Sequence, residues 1–220
     1  MKFLILWGLF IKVIVSSPVH VEAVTKSETN QLAVSDIAKD EKEIRALIRK
    51  ALNWANSENA IGFLPPAFKN SKGKIYTGFD LVKHKQNLQK LKATTFFSRE
   101  FVNNYNQIIL TLDKKLKNGS YGKWQVGDLP PFPFGSEANP WTLCQDVPYD
   151  NSNPFDFLEI KVLKLDGSEG NLSWKWGDLN QNTDPSWRNF KYLFKVVKEN
   201  NQWKIAYLEG FDLHKSTTNL

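Results

Sequence analysis

Sulfur is scarce in this 220-residue chain, which holds one cysteine, Cys144, and one methionine. A lone thiol excludes an intramolecular disulfide framework and every metal cage built on two or more thiolates. Histidine is nearly as rare: of three residues, His20 falls in the leading segment, leaving His84 and His214, too few for a His-rich metal site. No phosphate-cradling glycine loop, nucleophile elbow, metalloprotease helix motif or dinucleotide fingerprint occurs. No metal or cofactor is expected. What the chain has in quantity is apolar and aromatic mass, with 41% hydrophobic residues and 8 Trp. That supports one sizeable core and excludes a disordered tail.

Long apolar runs are confined to the amino terminus. Lys2 precedes a mostly apolar stretch from Phe3 to Val15, and Val21, Glu22 and Ala23 form a small-residue cleavage pattern. Residues 1–23 therefore predict a secretory signal, and the mature chain is expected to be exported, into the periplasm if the source is Gram-negative. The stretch is shorter than the roughly 20 apolar residues of a membrane span and is broken by Lys12, so no span is expected. No cysteine follows it to accept a lipid.

The formal net charge is +6, unevenly spread. Residues 38–118 carry 16 Lys or Arg against 7 acids, whereas residues 119–156 carry one Lys against five acids. A basic helical face attracts nucleic acid, anionic lipid or an acidic protein. Without a nucleic-acid motif in an exported chain, a solvated surface is the simpler reading and no nucleic-acid partner is expected.

Periodicity divides the chain in two. Residues 24–40 are polar and predict a flexible lead-in. Asp40 and Glu43 have the form of a capping box, and Ile44, Leu47, Ile48, Ala51, Leu52 and Ala55 recur on one helical face. Residues 60–78, with two prolines and a Lys/Gly/Asn/Ser run, predict an exposed connection. Asp80 caps a second helix with a thin stripe at Leu81, Leu88 and Leu91. Ser98 starts a third, with Phe97, Phe101, Tyr105, Ile108, Leu112 and Leu116 in helical register until Asn118 and Gly119. From Phe157 the period becomes two: Leu158, Ile160 and Val162; Leu172, Trp174 and Trp176; Phe190, Tyr192, Phe194 and Val196; then Trp203, Ile205 and Tyr207. Four strands with short connections form an antiparallel meander, so the fold class is α+β, amino-terminal amphipathic helices packed on a carboxy-terminal sheet. One domain over residues 41–212 is expected, with a polar tail at 213–220.

This order of helices, an irregular aromatic segment and a closing meander resembles the nuclear-transport-factor-2-like, or cystatin-like, cone superfamily, and within it the exported bacterial domains. The residues that carry the resemblance are Phe96, Phe97, Ser98, Arg99, Glu100 and Phe101 opening the long helix, Leu143, Cys144, Gln145 and Asp146 ahead of the sheet, and Trp203, Lys204, Ile205, Ala206 and Tyr207 in the last strand. It implies a sheet curved around a helix, with a concave pocket that holds an Asp or His acid or base in the superfamily's enzymes. No catalytic pattern maps residue by residue, and the superfamily spans enzymes, ligand binders, inhibitors and scaffolds.

The chemical candidates are few. Trp124, Gly127, Asp128 and Leu129 are echoed at equal spacing by Trp174, Gly177, Asp178 and Leu179. Trp and Asp beside a Gly suit a sugar or a cationic group, but two strands ending in Gly-Asp turns, with Trp in the core, explain the echo more simply. Asp146, Asp150 and Asp156 lie near Trp141 and Cys144; they suit a calcium ion or a buried acid, or else make turns beside Pro and Asn. Cys144 has no sequence-adjacent base and reads as inert. His84, among lysines, and His214 both read as exposed. Pro130, Pro131, Phe132, Pro133 and Phe134 form a stiff segment suited to covering a sheet edge.

These patterns predict a non-enzymatic binding domain for a protein partner or small ligand, including an immunity or inhibitor protein for a secreted enzyme. The contact residues are Trp141, Asp146, Trp174, Trp176 and Trp187. One alternative is a hydrolase or isomerase with a buried Asp146 or Asp178 as base. Another is a homodimeric scaffold with one sheet face covered by a second copy.

Overall fold

A computed structural model describes the backbone of residues 21–218 and the side chains of residues 36–218. The predicted signal, up to residue 20, lies outside the described residues. The chain divides into two units, residues 1–36 and 37–220; of the first, only the helical backbone from residue 21 onward is described.

The element order is α1 (Val21–Ala55), β1 (Ala67–Lys69), β2 (Tyr76–Phe79), α2 (Leu81–Ala93), α3 (Arg99–Lys117), β3 (Leu158–Leu165), β4 (Glu169–Trp176), α4 (Pro185–Arg188), β5 (Tyr192–Glu199), β6 (Gln202–Leu208) and α5 (Leu213–Thr217). The class is α+β, with an open four-stranded antiparallel meander in the order β3-β4-β5-β6. The cap residues act as predicted: Asp80 accepts from Lys83 N and Ser98 from Phe101 N.

Three local expectations need correction. α1 starts well upstream of Asp40, because no Gly or Pro between residues 19 and 61 stops it. Asp40 is thus not a cap; its carboxylate accepts from Lys198 Nζ at 2.9 Å and Trp203 Nε1 at 2.8 Å, tying α1 to the sheet. The connection after α1 contains the hairpin β1–β2, whose Lys/Gly/Asn/Ser run is its turn. It is clamped to α3 by Asp113, a buried acid that accepts from Phe79 N at 2.8 Å and from Lys117 Nζ at 2.7 Å. Gly78 sits at φ +150°, and a Cβ there would meet Asp113 Oδ1 at 2.9 Å, which is why the strand carries glycine at that point. The predicted polar tail opens with the short helix α5.

The sheet alternates as its sequence requires. Leu158, Ile160, Leu172, Trp174, Trp176, Tyr192, Phe194, Val196 and Ile205 are buried, and they share one hydrophobic core with Ile44, Ile48 and Leu52 of α1 and Phe101, Tyr105 and Ile108 of α3. Each strand edge is occupied. At β3, Arg49 Nη2 donates to Leu158 O at 2.8 Å and Arg45 Nη1 donates to Ile160 O. At β6, Ser98 N donates to Ile205 O at 2.9 Å and Ile205 N to Phe96 O at 2.8 Å, so the residues before α3 add a short parallel strand segment. The proline-aromatic segment does not cover an edge. Phe132 packs on Phe79, Tyr121 and Trp124, and Phe134 on Phe63 and Phe211, both rings buried in the core away from any partner.

His84 is likewise buried, at 2% exposure, correcting its expected exposure; His214 is exposed as expected. His84 falls on the Leu81, Leu88 and Leu91 stripe of α2, stacks edge-on with Tyr105, and meets Asn106 Oδ1 through Nε2 at 3.0 Å. An amide oxygen only accepts, so Nε2 carries the proton, and Nδ1 is left buried without a partner.

Two outcomes follow. Arg49→Met keeps the aliphatic stem but removes the donor to Leu158 O; it should cost about 1–3 kcal/mol in urea unfolding, whereas exposed Lys50→Met should stay within about 0.5 kcal/mol of the parent. Burial holds the His84 imidazole below its ordinary 6.5. Above that pH both folded and unfolded states are neutral at this residue. Below it the unfolded chain takes up a proton that the folded one resists, so stability falls as pH drops. The urea midpoint should therefore fall more between pH 7.5 and 5.5 in the parent than in His84→Gln; equal losses would assign the acid sensitivity elsewhere.

Candidate functional site

The loop from Asn139 to Asp150, the end of α1 and the segment around α4 build the surface that holds most of the sequence-selected residues. The loop is pinned at its base. Fully buried Tyr192 accepts from Gly210 N at 2.9 Å and donates its hydroxyl to Pro140 O at 3.0 Å; burial raises its phenol well above the usual range. Asn139 closes a turn, accepting from Trp141 N at its side chain and from Leu143 N at its carbonyl. Trp141 then enters an aromatic cluster, with ring centroids 4.5 Å from Phe211, 5.6 Å from Phe97 and 6.0 Å from Trp54.

Two recesses open on either side of Asp146 and Val147. The smaller, about 180 Å³, lies between Leu52, Ala55 and Asn56 of α1 and the loop residues Trp141, Thr142, Cys144 and Gln145. The larger, about 590 Å³ and widely open, is lined by Asp146, Pro148, Tyr149, Asp150, Thr183, Asp184 and Trp187. It brings three carboxylates together with two aromatic side chains. Tyr149 donates to Gly177 O and packs on Phe157 and Trp176. Its phenol is pushed up by burial first and then by the negative charges of Asp178 and Glu159. Asp184 accepts from Ser186 N at 2.7 Å; the Ser186 hydroxyl first, and then this backbone N–H, hold its carboxyl low. Asp146 and Asp150 make no hydrogen bond to the described residues and face solvent.

The structure separates the five expected contact residues. Asp146 and Trp187 meet in the larger recess, and Trp141 and Asp146 line the smaller. Trp174 and Trp176, at 1% and 2% exposure, are core side chains on the inner face of β4, correcting their expected role as contact surface; aromatic packing between helices and sheet claims them. The Trp–Gly–Asp echo is no structural repeat: Trp124 sits in a loop bonded to the β1–β2 hairpin, whereas Trp174 is in β4. Trp124 is nonetheless buried, as a core reading requires.

Asp146 and Asp178 are both exposed, which corrects the expectation that either is a buried base. Asp156 is engaged elsewhere, accepting from Asn53 Nδ2 at 2.8 Å. No group of three or more His, Cys, Asp or Glu able to hold a metal ion occurs among the described residues, so the calcium alternative lacks a ligand set there. Burial pushes the Cys144 thiol up to about 11, against a smaller opposing effect of Trp176. Such a thiol stays protonated and is a poor nucleophile.

Sequence reasoning passed over Tyr149 and Asp184 as site residues. Asp184 carried a signal, an Asp-Pro-Ser helix start; nothing local marked Tyr149 as facing the same space as Trp187. No protein-family model, no curated protein and no solved structure matches the chain. Among the described residues no helix is long and apolar enough to cross a membrane.

Alkylation tests the state of Cys144. At pH 8, a thiol at about 11 in place of the ordinary 9 holds about a hundredfold less thiolate. Iodoacetamide should therefore modify the native protein at least tenfold more slowly than the urea-unfolded chain. Fast native labelling would contradict a suppressed thiol.

Proposed function

We propose that this chain is an exported, non-enzymatic binding domain that engages a cationic partner, a Lys- or Arg-bearing protein segment or a cationic small ligand, through the larger recess. The observation that carries the reading is the convergence of Asp146 and Trp187, distant in sequence, with Asp150, Asp184 and Tyr149 around one open space. Exposed carboxylates without protein partners attract a guanidinium or ammonium group, and the Trp187 ring adjoining them offers a cation–π face. The packed inner face of the sheet supports a binding role over catalysis inside the fold, because aromatic side chains occupy the volume a substrate would need. The order of helices followed by a meander supports the nuclear-transport-factor-2-like likeness, and an inhibitor or immunity protein that blocks a basic surface of a secreted enzyme is one form such binding takes.

A tetra-arginine peptide titrated into nitrogen-15-labelled protein should shift amides of residues 146–150 and 183–187 saturably. Asp146→Asn combined with Trp187→Ala should weaken binding about tenfold or more, and because Trp187 also packs on Trp176 at the margin of the core, Asp146→Asn with Asp150→Asn, both exposed, should weaken it likewise with an unchanged melting curve. Shifts spread over the whole surface, or unchanged affinity in the double variant, would sink the assignment.

A further inference from the structure

On the other side of α4 from the acidic recess lies a groove of opposite charge. The strand register places Lys161, Ser173 and Leu193 in one cross-strand row on the outer face of the sheet. Ser173 is the shortest of the three, and the longer side chains flanking it leave a dip above β4. That dip is the floor of a groove of about 410 Å³, within the usual range of about 300–1,000 Å³ for small-molecule sites. Ser173 is only 4% exposed, yet its hydroxyl bonds to no protein group. The hydroxyl itself keeps contact with solvent, and the groove is the open side from which a ligand can reach it.

The rim is cationic. Lys161, Lys175, Arg188 and Lys191 all line the groove, against one acid, Glu159, which pairs with Lys175 at 2.8 Å. Lys161, Arg188 and Lys191 hold no carboxylate within salt-bridge distance among the described residues. The groove's apolar border is the partly exposed ring of Phe190. The three cationic side chains free of a carboxylate, with the hydroxyl, offer more donors than the two oxygens of a carboxylate can take, which favours a tetrahedral group with three free oxygens.

We propose that this groove binds a small-molecule phosphate or sulfate monoester, the oxyanion taking the Ser173 hydroxyl and the Lys161, Arg188 and Lys191 charges, and its aryl or alkyl body lying on Phe190. The site is independent of the acidic recess and goes beyond the binding role proposed for it.

Phenyl phosphate titrated into the nitrogen-15-labelled protein is the direct test, with phenol, inorganic phosphate and phosphatidylglycerol vesicles as parallel arms. Phenyl phosphate should saturably shift amides of residues 159–161, 173–175 and 188–191, and inorganic phosphate should shift the same set more weakly. Lys161→Gln with Lys191→Gln should weaken phenyl phosphate about tenfold or more with an unchanged melting curve, because both side chains are exposed. Ser173→Ala should weaken it severalfold. Asp146→Asn should leave it unchanged, which separates a failure here from a failure of the cationic-partner reading. The proposal is overturned if phenol binds as tightly as phenyl phosphate, if the double lysine variant binds normally, or if only the vesicles perturb these amides.

Discussion

The helix α1 lies along the open edge of β3, and the match between their repeats is the constraint on which the other elements depend. Arg45, Arg49 and Asn53 are spaced four residues apart, about 6 Å along a helix. Their partners, Ile160 O, Leu158 O and then Phe155 N with Asp156, step along the other chain by about two residues, about 6.6 Å in a strand. Helix and strand run in opposite directions, so one polar row meets the other at three positions, two at the start of β3 and one in the turn of Pro154–Phe157 before it. The neighbouring row of α1, Ile44, Ile48 and Leu52, is buried in the core. A one-residue slip of β3 would break the polar row and turn Leu158 and Ile160 outward together.

With α1 held there, the remaining elements have little freedom. Asp40 fixes the helix to the far strands through Lys198 and Trp203, and the segment before α3 occupies the β6 edge. Both edges, which would otherwise invite pairing with another chain, are taken within the molecule. The inner face is filled by rings in mutual contact, from Trp174 on Tyr192 to Phe97 on Phe101. Open space is thereby left to the outer surface, where loops carry polar groups in contact with water.

Charge is sorted about α4. Asp184 and Trp187 face the acidic recess, while Arg188, Asn189, Phe190 and Lys191 line the basic groove. Residues 184–191, a single short stretch of sequence, thus border two surfaces of opposite sign. The groups with intrinsic reactivity point to restraint: burial raises the thiol of Cys144 and the phenols of Tyr105 and Tyr192, keeping them in their neutral forms.

The sequence by itself determined the α+β class, the two helices capped by Asp80 and Ser98, the four-stranded meander and most of the core, because these rest on apolar period and on cap and turn residues, which act over a few positions. It also marked Asp146 and Trp187. It did not reveal that α1 continues upstream of Asp40, since Asp40 and Glu43 imitate a cap whose real work is a contact to Trp203. His84 was readable in principle as a polar residue within an apolar stripe, but its lysine neighbours suggested solvent. Only the tertiary structure decided which aromatic residues were wall and which were surface. Trp174 and Trp187 carry the same ring, and what separates them is which neighbours, far away along the chain, fill the space around each. The same holds for Ser173, an ordinary strand serine in sequence, which becomes the floor of a groove because Lys161 and Leu193 flank it in a register that pairing alone sets.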